Sequence, residues 1–72
     1  MAKVPNQDIF ILRWPEVSVR TGFRSKSHVE GLERRGEFPQ SVKIGVRAKG
    51  WVKGEIDAWL SARIADRVYT SL

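Results

Sequence analysis

Seventy-two residues suffice for one small domain and leave no room for an active-site cleft between domains. Cysteine is absent, which excludes disulfide staples and thiolate metal sites, and no segment approaches the ~20 apolar residues of a membrane span. The net charge of +5 is concentrated: residues 20–53 hold nine Lys or Arg against three Glu, a balance of +6, so the remainder sums to −1, as expected for a protein with a polyanionic partner.

Residues 1–8 contain Pro5 and polar residues without periodicity, and read as a flexible arm. Ile9-Phe10-Ile11-Leu12 is rich in β-branched residues and predicts a strand or extended segment packed on the core. Pro15 and Glu16 suit the first turn of a short helix over 15–21, which Gly22 closes. The second helix begins at Ser25 or Ser27, both ordinary caps, and Ser27 with Glu30 matches the capping-box pattern. Gly36 stops it, Arg34 and Arg35 sit at the negative end of its dipole, and Pro39 prevents resumption. Val29 and Leu32 share one face, while Ser27, Glu30, Gly31 and Arg34 cluster on the other. Two large apolar anchors do not stabilise a helix alone, so neighbours must hold it.

From 42 to 52, apolar and basic residues alternate around two glycines, the pattern of strands with one face inward and one solvated. This predicts a hairpin of strands 42–44 and 50–52, with a tip at 45–49 that carries cations and no acid. Ile56, Trp59, Leu60 and Ile64 fall on one apolar stripe of a last helix over 54–66. Residues 9–67 then form one domain and 68–72 a frayed tail. The expected fold is α+β, mostly α: a small winged helix-turn-helix with three helices and a two-stranded β-hairpin wing.

Catalysis finds little support. One His, no Cys and scattered acids do not supply a poised acid–base site. His28 has only Glu30 and Glu33 near it in sequence, so no metal site is expected, nor any cofactor or small-molecule substrate. A helix in the major groove of double-stranded DNA fits better, because base edges there are distinguishable and are read from the helix's N-terminal turns. Those turns offer Arg24, Ser25, Lys26, Ser27 and His28, followed by Gly31 and Arg34, with Arg20 at the end of the first helix. Arg24 and Lys26 can pair with guanine or with phosphate, and phosphate is favoured. Glu30 either caps with Ser27 or accepts from a cytosine amino group, and the cap is favoured. Gly31 costs ~1 kcal/mol of helix propensity; it is either a tolerated glycine or a gap through which backbone approaches DNA. Lys43, Arg47 and Lys49 would hold phosphates or enter the minor groove from the wing. Trp51 and Trp59 are assigned to the core rather than to base stacking, and Trp14 to the core or to a packing surface.

Ile11-Leu12-Arg13, Glu16-Val17, Thr21-Gly22, Arg35-Gly36-Glu37-Phe38-Pro39, Val42-Lys43-Ile44-Gly45, Gly50-Trp51 and Glu55-Ile56-Asp57-Ala58-Trp59-Leu60 together resemble the AlpA-type prophage regulators. That family is related to phage excisionases and to the winged-helix DNA-binding domain of the MerR class. The resemblance spans about residues 11–63. It implies a cytoplasmic, nucleoid-associated, non-enzymatic protein that binds double-stranded DNA and directs prophage or genomic-island excision. The same resemblance admits a transcriptional activator or repressor of integrase or other prophage genes. Small size adds an expectation of cooperative copies on DNA or of assistance from a phage integrase. In two places the chain departs from the family pattern. The turn Phe23-Arg24-Ser25-Lys26-Ser27 is one residue longer than usual, and Glu30-Gly31 stands where an aromatic and a basic residue are common. Both lie in the reading head. A protein-interaction adaptor docking through Phe10, Trp14 and the final helix is the contrasting reading, and insensitivity to salt would distinguish it.

Overall fold

The computed structural model describes residues 9–70, with side chains to residue 67. The arm at 1–8 and the last residues of the tail lie outside the described residues. The elements run β1 (Ile11–Leu12), α1 (Trp14–Thr21), α2 (Lys26–Arg34), β2 (Val42–Lys43), β3 (Lys49–Val52) and α3 (Lys53–Thr70). They form a winged helix-turn-helix with three helices and a small antiparallel sheet.

The sheet has three strands in the order β1-β3-β2: the expected two-stranded wing, β2 with β3, is joined by the strand anticipated within residues 9–12. Ile11 pairs with Val52 and Leu12 with Trp51, while Val42 pairs with Gly50 and Lys43 with Lys49. The pairing of β1 with β3 joins residues some forty positions apart, which local periodicity does not register. It also explains Gly50. A Cβ there would lie 2.9 Å from the Leu12 carbonyl oxygen and collide with the Ile11 side chain. Only glycine lets β1 lie against the wing at this point.

Leu12, Val17, Val29, Leu32, Phe38, Trp51 and Ile56 form the core, with Trp14, Phe23, Trp59 and Leu60 packed at its margin. Each fully buried side chain of this kind contributes about 1.5–3 kcal/mol. Phe38 and Trp59 meet edge to face at 4.9 Å, and Trp14 lies 6.3 Å from Trp51. Trp14 therefore belongs to the core margin, and Trp51 and Trp59 pack as expected.

Three apolar expectations fail for geometric reasons. Of Ile9-Phe10-Ile11-Leu12 only Leu12 is buried, because β1 is an edge strand with core behind one position alone. Val42, Ile44 and Val46 of the wing are exposed, Val46 to 90%; β2 is an edge strand exposed at both positions, and the hairpin meets the core only through β3, at Gly50 and Trp51. Ile64 is 54% exposed, since α3 outruns the body it packs on. That helix continues to Thr70 rather than ending near 66, because nothing after Gly54 is Gly or Pro and Ala58, Leu60, Ala62, Ala65 and Arg67 all favour helix.

Candidate nucleic-acid interface

The approach to α2 is held by short polar side chains. The Arg13 N–H donates to Glu16 Oε1 at 2.9 Å, which fastens the start of α1. At its other end Gly22 has φ +83°, and its N–H donates to the Ser18 carbonyl. Thr21 Oγ1 donates to the Val17 carbonyl and accepts from the Phe23 N–H, while Ser18 Oγ donates to the Phe23 carbonyl at 2.6 Å. Phe23 is thereby pinned against Phe38, Trp59 and His28.

Ser25, not Ser27, caps α2. Its backbone is extended, with φ −105° and ψ 115°, and its Oγ accepts from the His28 N–H at 3.1 Å. Ser27 is already inside the helix, so the expected Ser27–Glu30 capping box does not form. The first turn of α2 carries no acid and begins with Lys26. A cation at the positive end of the dipole is unfavourable for the isolated helix and suits an arriving anion. At the far end the Glu37 N–H donates to the Leu32 carbonyl and the Gly36 N–H to that of Glu33, with φ +74° at Gly36. This closes α2 in a Schellman motif.

Two ties set the distance between α2 and the wing. Lys49 Nζ donates to Glu30 Oε2 at 2.9 Å, and Trp51 Nε1 donates to Glu33 Oε2 at 2.6 Å. Lys49 also sits 5.7 Å from the Trp51 ring. The hydrogen bond from Lys49, and then its charge, hold the Glu30 carboxyl below the usual range, with smaller contributions from Lys26 and Arg34. The Ile44 and Gly45 N–H groups both donate to the Ala48 carbonyl, which folds the wing tip.

The fold brings four of the anticipated cations together. Lys26 of α2 and Lys43, Arg47 and Lys49 of the wing line a groove of about 350 Å³ beside Ser41. An adjoining hollow of about 300 Å³ shares Lys26, Arg47 and Lys49 and adds Arg13. No acid lines either one. Arg13 was absent from the sequence-based set; pairing of Leu12 with Trp51 carries it to the wing, and no local signal announces that.

Other anticipated residues lie elsewhere. Arg24, Ser25, Ser27, His28 and Arg34 are exposed on or before α2, and His28 rests edge-on against Phe23 at 5.2 Å. Gly31 is half-buried, and a Cβ there would meet only the ends of Arg34 and Arg35 at 3.7 and 3.8 Å. Nothing inside the protein requires glycine at 31. Arg20 is turned to α3, where it pairs with Asp57 at 3.0 Å. Asp57 also accepts from Lys53 at 2.8 Å, and chiefly that bond holds its carboxyl below the usual range.

Among the described residues no cluster of His, Cys, Asp and Glu is suited to a metal ion, and no helix is long and apolar enough to cross a membrane.

Comparison with known proteins gives a consistent picture. The family model described as prophage CP4-57 regulatory protein (AlpA) matches residues 10–64. The uncharacterized protein ORF88 of Enterobacteria phage P4 is 43% identical over 56 residues, covering 78% of this chain and 62% of the phage protein. The chain thus spans less than two thirds of that relative's length. The DNA-binding transcriptional activator AlpA of Escherichia coli (strain K12) is 36% identical over 58 residues, 74% of this chain and 83% of that protein. No solved structure matches the chain.

Proposed function

The chain belongs to the AlpA family of prophage regulatory proteins, and from that premise we propose that it is a sequence-specific double-stranded DNA-binding regulator of a prophage or genomic island. The observation that carries this is the acid-free groove between the start of α2 and the wing. Lys26, Lys43, Arg47 and Lys49, joined by Arg13, hold phosphates. The outer face of α2, from Arg24 and Ser25 through Ser27, His28 and Gly31 to Arg34, meets base edges in the major groove. Arg20 contributes charge at the edge of this surface, partly neutralised by Asp57.

The test is a titration of the full chain with duplex DNA over a range of salt. Five phosphate contacts give a slope of log affinity against log salt of about −4 to −5. Binding that ignored salt would support apolar docking through Phe10, Trp14 and α3 and would overturn the DNA reading.

The E. coli relative is a transcriptional activator by name, which favours action at a promoter. Direct participation in excision is the second reading; the likeness to a phage P4 protein is compatible with it. A reporter fused to the integrase promoter and an excision assay separate the two. A module of this size buries limited surface on DNA, so several copies bind cooperatively or an integrase assists. Gel shifts that gave only single, non-cooperative complexes, with and without integrase, would contradict that.

A further inference from the structure

The outer face of α2 carries one carboxylate among its cations. With Ser25 as cap, Glu30 has no duty to the helix backbone, and it stands on the same face as Ser27, Gly31 and Arg34. Its side chain is 36% exposed, and Oε2 accepts from Lys49. A carboxylate on a surface that approaches phosphates is repelled by them, so its presence there calls for a compensating contact.

Lys49 compensates part of the charge and also orients the group. It projects from β3, is steadied over Trp51, and draws one carboxylate oxygen toward the wing. The other oxygen, Oε1, has no hydrogen bond among the described residues. A carboxylate accepts only. In the major groove guanine offers two acceptors and thymine one, adenine sets its N7 acceptor beside its amino group, and cytosine offers a donor alone. Glu30 therefore gains from cytosine and is opposed by the other edges.

We propose that Glu30 is a specificity-determining residue that accepts a hydrogen bond from the N4 amino group of a cytosine in the major groove, with Lys49 as its positioning residue. This rests on the DNA-binding reading above. Selection from randomised duplexes, run with the full wild-type chain, Glu30→Gln and Lys49→Met, tests it. The wild type enriches cytosine at one position of its site. Glu30→Gln keeps an acceptor for Lys49 but also donates, so cytosine loses about tenfold or more there and adenine becomes acceptable. Lys49→Met blurs the preference at that same position and lowers the salt slope by about one. Salt-dependent binding with identical base preferences in wild type and Glu30→Gln, or with no cytosine preference in the wild type, would overturn this inference and leave the DNA reading intact. Absence of salt-dependent duplex binding would overturn both.

Discussion

The two sides of α2 obey different rules. Facing inward, Val29 and Leu32 are buried and Glu33 is bonded to the Trp51 indole, so each is fixed by a partner within the fold. Facing outward, Ser27 and Arg34 are exposed, and Gly31 fills a place where an alanine would fit. Position by position, the inner side is explained by packing and the outer side is not. Residues that the fold does not need are where a partner's chemistry is written, and here their neighbours on the wing are cations.

The largest effect expected from breaking this contrast is on the inner side. Trp51→Ala removes a fully buried ring and the bond to Glu33, and should cost about 3–5 kcal/mol in denaturant unfolding, a large share of the stability of a domain this small. Lys26→Ala, Lys43→Ala and Arg47→Ala combined should do the reverse. Unfolding stays within roughly 0.5 kcal/mol of wild type for such surface changes, while affinity falls by a similar factor on unrelated duplexes, as phosphate contacts require.

Gly31→Ala sharpens the contrast at a single atom. Relief of the glycine penalty should raise stability by up to about 1 kcal/mol in thermal melts, and DNA affinity should fall because the added methyl keeps the helix backbone off the groove. Unchanged affinity would mean that Gly31 is merely tolerated.

The smallest effect is on pH. Glu30 and Asp57 have carboxyls held below the usual range by Lys49 and by Lys53, respectively. Their contribution to stability is present above the unfolded carboxylate range of about 4 and is lost as pH falls through the lowered folded values. Glu30→Gln with Asp57→Asn should lower the neutral plateau of a stability–pH curve, flatten its acid limb and leave the slope near neutral pH unchanged. Persistence of the full acid limb in that double variant would assign it to other carboxyls.

The same contrast governs what was legible in the sequence. Helices were readable because Pro15, Gly22, Gly36 and the Ile56–Trp59–Leu60 spacing act locally. The sequence leaves the cap of α2 open between Ser25 and Ser27, because both are ordinary caps, and only the extended backbone at Ser25 decides between them. The pairing of β1 with β3 and Arg13's place at the wing depend on contact across the length of the chain. In the candidate interface, the cationic character of Lys26, Lys43, Arg47 and Lys49 can be read directly, but not the tie between Lys49 and Glu30 or the turn of Arg20 toward Asp57. Charge is a property of composition; pairing is a property of the fold.

The central claim, that the groove between α2 and the wing holds DNA phosphates, is tested most directly by one comparison of salt slopes on a duplex carrying the chain's selected site. The wild type should lose affinity along a slope of about −4 to −5, and the Lys26→Ala, Lys43→Ala, Arg47→Ala chain should be shallower by about three at unchanged stability. Equal slopes for the two folded proteins would contradict the account.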